Sequence, residues 1–314
     1  MLRRVGPHSA MRVIETVSEM REARAALGGR VGLVPTMGAL HEGHLSLVRQ
    51  ARADNDHLVT SVFVNPTQFG PREDLDEYPR DLDRDLRLLE AEGVDIVFAP
   101  TAPEMYPPGF DEWVKVQGPL TSRLEGASRP HFFRGVTTVV ARLFRIVQPH
   151  RAYFGEKDAQ QLLVVRRMVR EQRLPVEIVA MPTVREPDGL AMSSRNAHLS
   201  PEERQAALVV PRALELARMM VQRWGIRDAD MLRESLEDYI RQKPQAQIDY
   251  VSVADHETLE ELDVIDRPAL VLLAVRVGST RLIDNTLVAP PGVEPPERLR
   301  EPTQAVEGIA DRSS

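Results

Sequence analysis

The chain has 314 residues, no cysteine, 28% charged and 42% hydrophobic residues, and a formal net charge of −7, the composition of an ordinary soluble globular protein of about two domains. Without cysteine there is no disulfide framework, no thiolate zinc site and no thiol nucleophile, so the expected address is the cytoplasm and any covalent or metal chemistry must run on His, Asp, Glu, Ser or Lys. A pI near 5.7 argues against a surface built for nucleic acid and leaves a small-molecule partner.

In chain order, Thr16 and Glu19 form a capping box for a helix to about Leu27, ended by Gly28-Gly29, and a strand follows at Val31–Val34. Helical periodicity resumes after Gly43, then come a strand at Leu58–Val64, a charged helix from about Arg80 to Glu92 and a strand at Val94–Phe98. Such β–α alternation predicts an open α/β, Rossmann-like parallel sheet. Residues 100–130 hold six prolines and read as an irregular excursion with a short strand near Trp113–Val116. The alternation then returns, with a helix at Val136–Val147, a strand at Arg151–Phe154, a helix from Asp158 to about Glu171 and a strand at Val176–Met181.

Beyond Pro182 the texture changes. A turn-rich stretch, Arg185–Gly189, precedes Ser200-Pro201-Glu202-Glu203, where Ser caps, Pro takes the first helical position and Glu closes the box. Two helices, about Pro201–Arg223 and Ala229–Gln242, lead into runs of β-formers at Ile248–Val253, Ala269–Val275 and Thr280–Val288. The expected division is therefore a Rossmann-like domain over 1–182, a smaller α+β domain over 183–289, and a disordered tail over 290–314, where five prolines and mixed charge leave too little apolar surface to offset ordering. No apolar run approaches the roughly 18 residues of a membrane span, and MLRRVGPHSAMRV lacks the apolar core of a signal peptide; Met11 is an alternative start.

Four stretches carry chemistry. Val34-Pro35-Thr36-Met37-Gly38-Ala39-Leu40-His41-Glu42-Gly43-His44 follows the first strand and opens a helix, at the sheet edge where open α/β folds bind ligands. Free N–H groups, the positive helix end and two imidazoles suit phosphate oxygens, and Gly38 and Gly43 allow close backbone approach. The same histidines also read as surface residues or as half of a metal site. Gly155-Glu156-Lys157-Asp158-Ala159-Gln160-Gln161 again joins a strand to a helix. Asp158 there is a plain N-cap, but Lys157 is one of only three lysines, with Lys115 and Lys243, and can set a compact charge against a polyphosphate. Met192-Ser193-Ser194-Arg195-Asn196 offers two hydroxyls and a guanidinium for a triphosphate, in a composition equally common in solvated loops. Phe63-Val64-Asn65-Pro66-Thr67-Gln68-Phe69 sets two amides between aromatics, as a small polar acid in a partly apolar pocket requires.

Together these stretches resemble the adenylate-forming nucleotidyltransferases related to class I aminoacyl-tRNA synthetases, with paired His-x-Gly-His and Met-Ser-x-Arg elements. Within that superfamily PTMGALHEGHLSL (35–47), FVNPTQFGP (63–71), FGEKDAQQL (154–162) and GLAMSSRN (189–196) look like the pantoate–β-alanine ligases, over about residues 11–289. The resemblance implies a two-step, AMP-forming ligation. Pantoate attacks the α-phosphate of ATP to give pantoyl adenylate and pyrophosphate, and β-alanine then displaces AMP to give pantothenate. By matching position it implies His41, His44 and Lys157 on the phosphates, with Ser193, Ser194 and Arg195 closing over the triphosphate. Pro35, Thr36, Met37, Gly155, Asp158, Val184 and Met192 line the nucleotide site, and Met37, Asn65, Gln68 and Gln161 bind pantoate. It further implies Mg²⁺ on phosphate oxygens with no protein ligand cage, and a homodimer through the first domain. One departure stands at His131-Phe132-Phe133-Arg134-Gly135-Val136, where Phe132 replaces the histidine of the usual His-Phe-Arg-Gly-Val segment. The rival readings are another nucleotidylyltransferase of the superfamily, which leaves the two glutamine motifs unexplained, and a non-catalytic ATP-binding module. A tRNA synthetase is disfavoured by the small second domain and acidic pI.

Overall fold

The computed structural model describes residues 11–70, 75–76, 78–294 and 296. Over these the chain divides into two compact units, one holding the chain to Gly155 together with Gln161–Met181, the other holding Glu156–Gln160 and the chain from Pro182 onward. The expectation of disorder over 290–314 falls, from 297 onward, outside the described residues.

The first unit runs β1 (Arg12–Ile14), α1 (Val17–Ala26), β2 (Val31–Thr36), α2 (Glu42–Asp54), β3 (His57–Val62), α3 (Leu82–Ala91), β4 (Ile96–Phe98), the short turns α4 (Ala102–Met105), α5 (Pro119–Ser122) and α6 (Glu125–Ser128), then α7 (Phe132–Val147), β5 (Arg151–Gly155), α8 (Ala159–Gln172) and β6 (Glu177–Met181). All six strands are parallel, in the order β1-β4-β3-β2-β5-β6. Alternate strand residues feed two cores, as a sheet covered on both faces requires. Leu33, Val59, Phe98 and Phe154 join the core that takes residues from α1, α7 and α8, whereas Val34, Leu58, Val97 and Tyr153 join the core that includes Leu47, Val48 and Ala51 of α2 and Leu89 of α3. The α/β, Rossmann-like expectation is what the unit adopts.

The chain fills the sheet outward on one side of β2 and resumes on its other side at β5, so the topological switch lies between these strands. Their pairing is confined to Gly32↔Arg151 and Leu33↔Ala152. The carboxyl ends of β2 and β5 flank this switch, the position at which open α/β sheets receive ligands.

Several elements differ from the sequence reading. Strand β1 was not anticipated; its three residues pair with β4 at the sheet edge and are too few to show alternation. The strand expected at Trp113–Val116 is absent. Its place is taken by extended chain held by side chains of α7, where the Val114 amide donates to Thr138 Oγ1 at 3.1 Å and Thr137 Oγ1 donates to the Val114 carbonyl at 2.7 Å. Helix α7 begins at Phe132 rather than Val136 and is buried nearly all round, which hides the boundary that periodicity would mark.

The second unit contains α9 (Pro201–Ala207), α10 (Val209–Arg218), α11 (Ala229–Arg241), β7 (Ala246–Asp255), β8 (Ala269–Val277) and β9 (Thr280–Val288), the strands forming an antiparallel sheet in that order. The Ser200 box is formed on both sides, Glu203 N donating to Ser200 Oγ at 3.2 Å and Ser200 N to Glu203 Oε2 at 2.9 Å. The single helix expected over Pro201–Arg223 is instead broken at Leu208 and ends in a π-turn, Met219–Arg223. Pro211, whose ring lacks the N–H that the first turn of α10 leaves unpaired anyway, is compatible with a restart there.

Candidate active site

In the first unit the stretch from Pro35 to His44 leaves β2 and enters α2. Thr36 is buried, donating through Oγ1 to the Ser61 carbonyl at 2.7 Å and accepting from the Gly38 amide at 3.2 Å. The turn then passes through the left-handed region at Gly38 (φ 84°) and Ala39 (φ 50°), a strained placement for Ala. A carboxylate holds it there. Asp85 of α3, 1% exposed, accepts from the Ala39 amide at 2.8 Å and the Leu40 amide at 2.9 Å. Burial pushes the Asp85 carboxyl up, and the two amides and Arg84 only partly offset it. Arg84 braces the same turn by donating to the Leu40 carbonyl at 2.9 Å.

The turn delivers His41 to the N-cap of α2 and His44 to its first turn, with ring centroids 4.1 Å apart and the His41 amide 3.4 Å from His44 Nδ1. Two imidazoles and a helix N-terminus therefore share one spot at the switch point, an arrangement suited to anionic oxygens.

Beside them, Gln68 donates to Met37 Sδ at 3.0 Å and accepts from Asn65 Nδ2 at 3.0 Å. Asn65 is 1% exposed and fully engaged within the protein. Its Nδ2 also donates to the Gly135 carbonyl at 3.2 Å, while Oδ1 accepts from the Tyr106 hydroxyl at 2.7 Å, Thr67 Oγ1 at 2.9 Å and the Thr67 amide at 3.3 Å. The structure thus gives Asn65 the work of orienting Gln68 and closing the Pro66–Gln68 turn. Burial raises the Tyr106 hydroxyl above its usual range, against a lowering by its contact with Thr67, so it stays protonated and donating. Gln161 stands on another element, in the first turn of α8, and Gly155 is the last residue of β5.

Gly135 lets this turn rest directly on α7. A Cβ built there would lie 2.4 Å from the Thr67 carbonyl oxygen and 2.6 Å from the Gln68 nitrogen, both backbone atoms that cannot swing aside. Replacing Gly by Ala favours a helix by about 1 kcal/mol, whereas overpacking costs roughly 1–3 kcal/mol. Gly135→Ala is therefore expected to lower the melting temperature and to displace Gln68; a melting temperature at or above that of the parent would show that the turn yields without cost.

In the second unit Lys157 and Asp158 lie on a short 3₁₀ turn, Glu156–Asp158, with Nζ 3.8 Å from Asp158 Oδ1. Asn285 of β9 donates to the carbonyls of Glu156 and Lys157, each at 2.9 Å. The stretch around residues 184–192 folds back on itself, with an Arg185↔Ala191 bridge and the Met192 amide on the Val184 carbonyl at 2.9 Å. It is pinned by Arg185, which donates from both terminal nitrogens to Asp284 at 2.7 and 3.2 Å. Ser193 caps the following 3₁₀ turn by accepting from the Arg195 amide at 3.3 Å, and that turn carries Ser194 and Arg195.

At the departure noted above, Phe132 lies beneath the Arg129 guanidinium, 3.7 Å from the ring centroid, and Arg129 also pairs with Glu125 at 2.5 Å. Arg134 stacks over Trp113 at 4.4 Å. Residues the sequence reading missed are Asp85, Tyr106, Gly135, Asp284 and Asn285. A signal existed for Asp85, a charge four residues before Leu89 on the buried stripe of α3.

Among known proteins, the model of the pantoate-beta-alanine ligase family matches residues 12–287. The pantothenate synthetase of Roseiflexus sp. (strain RS-1) is 62% identical over 280 residues, 88% of this chain and 99% of that protein. The crystal structure of pantothenate synthetase from Thermus thermophilus superposes with a TM-score of 0.85 at 54% identity, covering 89% of this chain and all of that one. The pantoate-beta-alanine ligase of Francisella tularensis, crystallised with beta-gamma ATP and beta-alanine, superposes with a TM-score of 0.74 at 32% identity, over 88% and 98% of the two chains. A family match across nearly the whole described chain, together with relatives of this identity and coverage, establishes that the chain belongs to the pantoate–β-alanine ligase family.

Proposed function

We propose that the chain joins pantoate to β-alanine in two half-reactions. The pantoate carboxylate attacks the α-phosphorus of ATP, forming the mixed anhydride pantoyl adenylate as pyrophosphate leaves. The β-alanine amine, as its free base, then attacks the acyl carbon and AMP leaves with the bonding pair, giving pantothenate. The observation that carries this reading is the pairing, at one switch point, of the imidazole-bearing turn with the Met37–Gln68–Asn65 chain of polar contacts. One part suits an anhydride of phosphate and the other a small hydroxy acid. The crystallised Francisella relative, with its beta-gamma ATP and beta-alanine, supports the substrate set.

Neither half-reaction needs a covalent side-chain nucleophile, since the attacking carboxylate is charged at neutral pH; what the protein supplies is position and charge stabilisation. His41 and His44 donate to phosphate oxygens, Lys157 holds the β- and γ-phosphates, and Ser193, Ser194 and Arg195 contact the triphosphate. Pro35, Thr36, Met37, Gly155, Asp158, Val184 and Met192 shape the nucleotide site, and Gln68 and Gln161, oriented with the help of Met37 and Asn65, hold pantoate. Among the described residues there is no group of three or more His, Asp or Glu placed to hold a metal. Magnesium belongs to this proposal as part of the nucleotide substrate, carried on phosphate oxygens. A homodimer through the first domain is part of it as well, and sedimentation tests whether the chain dimerises.

The test is pyrophosphate–ATP exchange with pantoate and magnesium but without β-alanine. Exchange that requires pantoate is the expected result. No exchange, with AMP nevertheless formed once β-alanine is added, would mean a concerted or obligately ordered reaction, and no AMP under either condition would overturn the reading. Within the same assay, Gln68→Ala is expected to raise the pantoate KM roughly tenfold or more, the value of one hydrogen bond to a charged group, with the ATP KM unchanged. An unaltered pantoate KM would remove Gln68 from the pocket.

A further inference from the structure

We infer that Asn285 is the positioning residue for Lys157, an inference that rests on the phosphate-binding role proposed for that lysine. A single side-chain amide on β9 donates to two successive carbonyl oxygens, those of Glu156 and Lys157, each at 2.9 Å. Both hydrogens belong to one planar group, so only a narrow range of turn placements satisfies both bonds. The turn they hold is a three-residue 3₁₀ segment, Glu156–Asp158, a form with poorer hydrogen-bond geometry than an α-helix. Lys157 projects from it with a side chain 20% exposed.

The amide is itself well anchored. Asn285 pairs with Leu272 in the β8–β9 ladder, and its backbone N–H donates to Asp284 Oδ1 at 2.8 Å. Asp284, 3% exposed, is gripped by both terminal nitrogens of Arg185. Adjacent strand residues face opposite ways, so this dipeptide reaches two segments at once. Asp284 holds the fold-back at 185–191 that leads into Met192–Arg195, and Asn285 holds the lysine turn. Two nucleotide motifs lying apart in sequence are thereby tied to one strand of the second unit. The Asn285 amide hydrogens are both engaged by backbone carbonyls, so its influence on the reaction runs through Lys157.

Asn285→Asp keeps the size of the side chain but sets acceptor oxygens against two carbonyls, and Asn285→Ala removes the donors without repulsion. Pantoate-dependent pyrophosphate exchange is expected to fall roughly 100-fold in the first and about tenfold in the second, the scale of a misplaced charge donor, with the pantoate KM unchanged. Should the Asp variant show no cooperative thermal transition, the Ala variant carries the measurement. The deciding readout is the double-mutant cycle with Lys157→Ala. If Asn285 acts through the lysine, its replacement in the Lys157→Ala background costs less than about threefold; losses that multiply would make Asn285 a general structural residue and overturn the inference. Unchanged exchange in the Asn285 single variants would also overturn it. If Lys157→Ala alone exchanges at the parent rate, the role proposed for the lysine fails first and the inference falls with it, an outcome distinct from the others.

Discussion

Lys157→Ala is expected to cut pantoate-dependent pyrophosphate–ATP exchange by about 10²-fold or more. The ammonium stands on a turn tied to β9 and is matched in the proposed mechanism to the β- and γ-phosphates, on which charge grows as pyrophosphate leaves. Removing one such preorganised donor costs about 2.7–4 kcal/mol of transition-state stabilisation. A competing effect, loss of the ion pair to Asp158, is small, because that carboxylate is 46% exposed and the pair is 3.8 Å long; exposed pairs contribute roughly 0–1 kcal/mol. The loss is therefore expected mainly in kcat, with the melting temperature nearly unchanged. Lys157→Arg is expected to recover only part of the rate, since a planar guanidinium does not occupy the space of a compact ammonium. Near-parental exchange in Lys157→Ala would remove the lysine from the mechanism.

Asp85→Ala is expected to lower the same exchange by roughly 10²-fold, the cost of about 1 Å of misplacement at a reacting centre, while altering stability much less. Two opposing effects decide the stability term. Deletion strands the Ala39 and Leu40 amides, at about 1–3 kcal/mol for each donor that water cannot reach. It also releases a carboxylate whose pKa burial has raised. For such a group the stabilisation is present in full below its ordinary carboxylate pKa and is lost as pH rises through the folded-state value, so above that value the charge of Asp85 is a burden on the fold. The charge relief offsets part of the lost hydrogen bonding. What is not offset is the conformation of Gly38 and Ala39, both at positive φ, which sets His41 at the N-cap. Asp85→Asn keeps one acceptor without the charge. Its stability relative to the parent is expected to improve as pH rises through the raised pKa of the Asp85 carboxyl, and its activity to lie between those of the parent and Asp85→Ala. Exchange within about threefold of the parent in Asp85→Ala would show that the turn holds its shape unaided.

Much of the fold, and the placement of the candidate motifs on it, was legible without coordinates. The alternation of β-formers and helical periods implied a parallel sheet, and the motif at 35–44 fell at the end of its first predicted strand, where backbone N–H groups are free to bind a ligand. Ser200-Pro201-Glu202-Glu203 named its own helix start, and the capping box forms as written. Lys157 stood out by rarity. In the cap and the turn motif neighbours within a few residues carry the physics, and the alternation and the lysine count are patterns along the chain, so all of them survive in one dimension.

The parts that escaped depend on distance along the chain. Asp85 meets Ala39 across 46 residues and Asn285 meets Lys157 across 128. On its own helix the spacing of Asp85 from Leu89 marks it as inward-facing but does not name the backbone it meets, and Asn285 reads as one polar residue on a strand. Gly135 reads as a helix-weakening glycine until the backbone of Thr67 is found against it, and Val114 reads as strand because its hydrogen bonds come from threonine hydroxyls of a helix that no local pattern brings near. The fold class and the family follow from short segments of the sequence, and so does the choice of residues proposed to react. The tertiary structure alone decided how those groups are held, because a buried carboxylate or amide acquires its role only from the backbone that folding places opposite it.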